Sequence, residues 1–275
     1  MFKSLANTFK SSRLVQFSTV FVIALTIWWV SIFVRGLQEG TENDAFTLIY
    51  PLISIWGGVT GLVISKRWGG LKSVLGRSIF FLALGLLSQA FGQASYAVLI
   101  YIVGIEVPYP SIGDIGYFGS VIFYIIGVSL LARVAGARIS LRSFGGKLQA
   151  VLIPLALLIL SYFFFLRGYE FDWSSPLTVL LDFGYPLGQA FYVALAILTV
   201  LLSWKVLGGM MRGPLMFLLL ALVIQYFSDY MFLFLVSREQ WYVSGPNDYL
   251  YLISYFAMTI GLAQLGTMFK RIKQT

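Results

Sequence analysis

The sequence predicts an all-α, multipass membrane bundle of about eight transmembrane helices, arranged as four repeated parallel hairpins. Three observations carry this. The 275 residues are 59% hydrophobic and only 11% charged, more apolar surface than a soluble domain can cover. The apolar residues gather in long runs, and runs of about 18 or more with few charges read as membrane-spanning helices. Four acids, Asp44, Asp114, Asp182 and Asp248, recur at near-even spacing, each at the start of such a run and each followed within two turns by a tyrosine: Tyr50, Tyr117, Tyr185 and Tyr251.

The runs lie near 14–34, 46–64, 79–104, 115–132, 149–166, 178–204, 214–236 and 249–268. The first follows Lys3, Lys10 and Arg13 and shows no small-x-small cleavage pattern before Arg35, so it reads as a retained signal-anchor helix. The second contains Pro51, expected early in the helix where a missing N–H costs little, and the small-residue face Gly57 to Gly61. The third carries Gln89 and Gln93 on one stripe. The fourth opens on Asp114 and Gly116, and the sixth on Asp182, Gly184 and Pro186. The fifth is uniformly apolar. The seventh holds Gln225 and Asp229 one turn apart, and the eighth opens on Asp248 and Tyr251. Together these make one integral membrane domain, 1–275, with pseudo-repeats at 1–72, 73–143, 144–210 and 211–275.

Charge sets the expected orientation. All Lys and Arg except Arg35, Arg167 and Arg238 fall on alternate connections or at the termini. Short loops rich in Lys and Arg stay cytoplasmic, which predicts a plasma-membrane protein with both termini inside. The acids take the other side or the outer part of a helix: Glu39, Glu42, Asp44, Glu106, Asp114, Glu170, Asp172, Asp182, Asp229, Glu239 and Asp248. The net charge of +8 is therefore two separated fields, whose basic half suits topology and anionic lipid rather than nucleic acid. Each outer arginine ends an odd-numbered helix and is placed to pair with an acid of the next loop.

The chain has no cysteine and no histidine. Disulfides, thiolate or histidine metal sites and a serine–histidine nucleophile are excluded. A retinal Schiff base needs a lysine in a helix core, but Lys66, Lys72, Lys147, Lys205 and Lys270 fall at the cytoplasmic rim. No catalytic residue, cofactor or metal site is read here, and the expectation is a protein that is not an enzyme.

Internal matches guide the site. Asp114, Gly116, Tyr117, Phe123 and Tyr124 align with Asp182, Gly184, Tyr185, Phe191 and Tyr192, and Tyr50-Pro51-Leu52 aligns with Tyr185-Pro186-Leu187. Gln89, Phe91 and Gln93 align with Gln225, Phe227 and Asp229. The repeating acids can cap helix N-termini. Asp229 differs, because it lies roughly 10 Å below the outer edge at 1.5 Å per residue. An ionisable group at that depth is a functional candidate by default. If four hairpins close into a ring, the third and seventh helices face each other. Asp229, Gln225, Gln89 and Gln93, with Ser88, Ser95 and Ser228, would then line a pocket open to the outside. The alternative is a hydrogen-bond ladder that fixes packing.

One stretch resembles a known family. Gly92-Gln93-x-x-Tyr96 is followed by Pro108-Tyr109-Pro110-Ser111-Ile112-Gly113-Asp114-x-x-Tyr117 and an apolar helix. This resembles the multi-helix membrane sensor regions at the N-terminus of many bacterial diguanylate cyclases, phosphodiesterases and histidine kinases. Those carry a Gly-Asp on one helix and Pro-Ser-x-x-Asp-x-x-Tyr opening the next. Here Asp229 follows Ser228 at the equivalent place in the second half, while Gln93 replaces the acid in the first. The sequence holds no GGDEF, EAL or kinase domain, so the resemblance implies a sensing or interaction fold without its own output domain. The expected partners are the lipid bilayer, a small or lipid-like ligand on the outer side, and a membrane or cytoplasmic protein. A cation or small-solute transporter and an accessory scaffold subunit, marked by an unburied small-residue face, are the alternatives.

Overall fold

Eight helices long and apolar enough to cross a membrane make up the computed structural model, which describes residues 9, 12–105, 107–136, 142–163, 167, 173–203, 209–236, 238 and 240–274. Glu106, Glu170, Asp172, Glu239, Lys3, Lys10, Arg138 and Lys205 lie outside the described residues. The helices are α1 (Arg13–Val34), α2 (Thr41–Arg67), α3 (Val74–Val103), α4 (Ile112–Val134), α5 (Phe144–Ser161), α6 (Pro176–Ser203), α7 (Gly209–Val236) and α8 (Pro246–Gln274). Among the described residues there is no strand.

Several helices start earlier than their apolar runs, because polar first turns are helical too. Ser73 begins α3 by accepting the Gly76 N–H at 2.8 Å, and Ser143 begins α5 by accepting the Gly146 N–H at 3.1 Å. Side-chain caps of this kind satisfy N–H groups that have no intrahelical partner. Helix α2 is two segments, Thr41–Ile49 and Leu52–Arg67, interrupted at Tyr50-Pro51. Helix α3 closes with a π-turn at Val98–Val103, and Gly104, at φ 72°, lets the chain leave it. Since α6 opens at Pro176, Asp182 and Pro186 sit inside the helix rather than at its start, a correction to the expected placement. Pro186 has no N–H to offer the Asp182 carbonyl, which weakens the helix there.

Helices α2, α3, α4, α6, α7 and α8 pack in a closed circuit, each against the next and α8 back against α2. This differs from a ring of four equal hairpins. Helix α1 lies outside against α8 and the start of α2, and α5 lies outside against α6. Burial follows: 78% of the apolar window of α8 is buried against 11% for α5, so α8 is central and α5 peripheral. In a membrane the lipid is as apolar as leucine, so helices associate through close packing and hydrogen bonds. Glycine supplies the approach. A Cβ on Gly57 would stand 2.0 Å from Thr259 Oγ1, and one on Gly61 2.7 Å from the Ala83 Cβ. The Gly57 to Gly61 face is thus buried between α3 and α8 and offers no free scaffold surface.

At one end of the bundle, here the acidic end, lie Asp44, Asp114 and Asp248 in the first turns of α2, α4 and α8. At the opposite, basic end, Trp68 Nε1 donates to the Leu265 carbonyl at 3.0 Å and joins α2 to α8.

Candidate functional site

The polar groups at depth form one network centred on Asp229 of α7. Its Oδ1 accepts from the Tyr251 hydroxyl of α8 at 2.6 Å, and its Oδ2 from Gln189 Nε2 of α6 at 2.7 Å. Gln225, one turn back on α7, adds weaker contacts at 3.3 and 3.4 Å. The Gln225 amide oxygen accepts from Ser254 at 3.1 Å. Three helices therefore converge on one carboxylate, and its hydrogen-bond donors are neutral. Asp229 keeps partial exposure, as do Gln93, Tyr117 and Tyr185, whereas Gln225, Gln189 and Tyr251 are buried. The residue keeps some exposure, while its carboxylate is enclosed by the donors from α6, α7 and α8.

The α3 side is joined to this network through α8. Gln89 Nε2 donates to Ser120 Oγ of α4 at 2.7 Å, and its Oε1 accepts from Tyr255 of α8 at 3.0 Å. The Tyr255 ring stacks on Tyr251, with centroids 6.0 Å apart. Gln93 also reaches Tyr255. The stripes on α3 and α7, expected to face each other, are instead joined across two tyrosines of α8. Two of the expected lining serines are committed elsewhere. Ser95 donates to the Phe91 carbonyl of its own helix at 2.8 Å, and Ser228 to the Asn247 carbonyl at 2.7 Å.

The four recurring acids have four different settings. Asp44 accepts from Tyr101 at 2.9 Å. Asp114 closes a capping box: Ser111 N–H donates to Oδ2 at 2.7 Å, and the Tyr185 hydroxyl of α6 donates to Oδ1 at 2.7 Å. Asp182 accepts from Tyr109 at 2.7 Å. Burial and then this acceptor push the Tyr109 phenol up, so it stays a donor. Asp248 accepts from Ser244 N–H at 2.7 Å and Asn247 Nδ2 at 3.1 Å. Tyr117 makes no such polar pair here. Its ring packs edge-on to Tyr96, centroids 5.1 Å apart, and fills the space beside Gly92.

Arg35 pairs with Glu42, both exposed, and this hydrogen bond raises the arginine pKa further. Arg238 instead stands 4.5 Å over the Phe234 ring. Gln189 and Tyr255 belong to the network and were not anticipated. Each stands one turn beyond a tyrosine that was, Tyr185 and Tyr251, so helical spacing could have found them. Among the described residues no cluster of acids suits a metal ion. Comparison with protein-family models, curated proteins and solved structures found no match for the chain.

Proposed function

We propose that the chain is a multipass protein of the cytoplasmic membrane that binds a small or lipid-like ligand through its outer, acidic half and relays occupancy to a separate partner. The observation that carries this is the enclosed Asp229 carboxylate, held at membrane depth by neutral donors from three helices. A buried carboxylate without a fixed cation is costly. A ligand presenting a positive charge or hydrogen-bond donors beside aromatic rings offsets that cost. Both termini are cytoplasmic in this reading, from the Lys and Arg of the basic end. The likeness of the Ser111-to-Tyr117 segment to bacterial sensor regions points the same way.

The relay runs through α8. Tyr251 holds Asp229, and the same helix carries Lys270 and Arg271 at the basic end. A helix moves as a unit, so a ligand that displaces the Tyr251 hydroxyl shifts the far end of α8. Repetition remains part of the proposal, supported by paired contacts. Gly127 receives Leu82 as Gly261 receives Leu218. Gln89 meets Ser120 as Gln225 meets Ser254.

A density map of the protein extracted in mild detergent tests the site. Non-protein density against Asp229, absent in Asp229→Asn, is expected. No density other than water beside residue 229 in both would overturn the proposal. A cation transporter is the second reading, favoured by the same uncompensated carboxylate. Proton-driven uptake by proteoliposomes would establish it, and a water path through both halves would accompany it.

A further inference from the structure

Two Tyr-Pro pairs, Tyr50-Pro51 of α2 and Tyr185-Pro186 of α6, hold matching places near the acidic end, but the segments before them are held differently. On α2 the first segment is locked. Its Phe46 and the adjoining Tyr50 are fully buried, and the Asn43 amide donates to the Leu37 carbonyl at 3.1 Å and the Val243 carbonyl at 3.3 Å. On α6, residues 182–185 are half-buried. Three side chains of its inner face, Asp182, Tyr185 and Gln189, recur at helical spacing. Asp182 accepts from the exposed Tyr109 at 2.7 Å, Tyr185 donates to Asp114 at 2.7 Å, and Gln189 donates to Asp229 at 2.7 Å. The first two bonds lie before Pro186 and the third lies after it.

The opposite face of α6 meets open space. Val179, Leu180, Phe183, Gly184 and Leu187, with Trp173, border a cavity of about 500 Å³. Among the described residues no other helix lines it. Pro186 marks the pivot between the two parts of the helix. It brings no N–H to the helix, and sharp helix kinks gather at proline. Its carbonyl accepts from Ser161 of α5 at 3.4 Å, and Ser161 is joined to Tyr230 of α7 at 2.9 Å. The pivot is anchored to two helices, whereas the segment before it has two bonds on its inner face and room on its outer one.

We propose that residues 176–185 are a gate to Asp229, which swings about Pro186 toward the cavity when Tyr109 releases Asp182 and Tyr185 releases Asp114. This rests on the reading of Asp229 as the residue that meets the ligand. The gate covers the approach to Asp229 from the acidic end. Gln189 lies beyond the pivot, so Asp229 keeps its donor from α6 while the gate is open. The first segment of α2, equivalent in sequence but locked, stays in place as the fixed wall opposite.

The test is a distance measurement between two spin labels on the full chain in lipid nanodiscs. The chain has no cysteine, so Leu177→Cys on the gate and Leu48→Cys on α2, both exposed, take the labels without background. Leu177 stands roughly 14 Å from the pivot at 1.5 Å per residue, so a kink of about 20° displaces it by roughly 5 Å. Tyr109→Phe with Tyr185→Phe should raise the share of the longer distance about tenfold, as the loss of two interhelical bonds implies. Pro186→Ala in that background should remove it. One unchanged distance in the wild type and the double variant overturns the proposal, and so does a longer distance that survives Pro186→Ala. If the double variant does not fold, Tyr109→Phe alone must still raise the longer share, by about threefold, and no rise refutes the gate. The labels do not touch Asp229. A rigid α6 therefore refutes the gate and leaves binding standing, while absent density beside residue 229 refutes binding and leaves the motion.

Discussion

Two glycines on the same helix should answer an added methyl with opposite signs. Gly116 and Gly119 both lie on α4, one turn apart. A Cβ on Gly116 would stand 2.5 Å from the Ser88 carbonyl oxygen and 2.7 Å from the Gly92 nitrogen of α3. Both obstacles are backbone, so no rotamer change relieves them, and α3 and α4 must part by roughly 1 Å to restore van der Waals spacing. Overpacking of this kind costs about 1–3 kcal/mol. Alanine recovers at most ~1 kcal/mol of helix propensity, and because both obstacles are backbone the overpacking cost lies at the upper end of its range, leaving Gly116→Ala less stable by about 2 kcal/mol. At Gly119 the nearest atom is Ser88 Oγ at 3.9 Å, so the methyl fits. Gly119→Ala should gain about 0.5–1 kcal/mol. Reversible unfolding in mixed micelles, followed by tryptophan fluorescence, measures both. Equal shifts, or a tolerated Gly116→Ala, would refute the α3–α4 seam that aligns Gln89 with Ser120.

Tyr185→Phe leaves the buried Asp114 without its side-chain donor from α6, and should cost about 1–3 kcal/mol by the same unfolding assay. In Asp114→Asn the further loss from Tyr185→Phe should shrink; full additivity would mean that the pair does not couple. Arg35→Ala breaks an exposed pair with Glu42. No measurable change in the unfolding midpoint is expected, because exposed pairs contribute little. A substantial loss would assign Arg35 a role in the bundle.

The helices were legible because long apolar runs have few other readings. Their ends were less so. Thr41 to Asn43 and Phe144 to Lys147 are helical but not apolar, so hydropathy stops short of them and only the caps show the true starts. The outlying places of α1 and α5 left no trace, since a face against lipid and a face against protein are both apolar. Asp182 illustrates a different failure. Spacing made it equivalent to Asp114, but Pro176 starts α6 earlier, so the same residue type cannot cap. The central network was half legible. The polar stripes of α3 and α7 were visible as glutamines, while Tyr251 and Tyr255, which connect them, resembled the interfacial aromatics common in membrane helices.

Asp229 separates a packing ladder from a binding site because α3 already shows what packing needs. At the matching place α3 carries Gln93, a neutral amide. A ladder that only fixes helices has no use for a charge, and the amide form should serve α7 as well. The geometry permits it. In Asp229→Asn the remaining oxygen can accept from Tyr251, and the new amide N–H can face Gln189 once that side chain turns its own oxygen inward. Gln225 cannot turn as freely, since Ser254 donates to its oxygen. The substitution should therefore cost only about 1 kcal/mol of stability, the usual worth of one interhelical bond in a membrane. The network survives, and what disappears is the charge. A variant that folds like the wild type but no longer retains density beside residue 229 would place the role of Asp229 in recognition. A variant that loses several bonds' worth of stability would return the carboxylate to architecture.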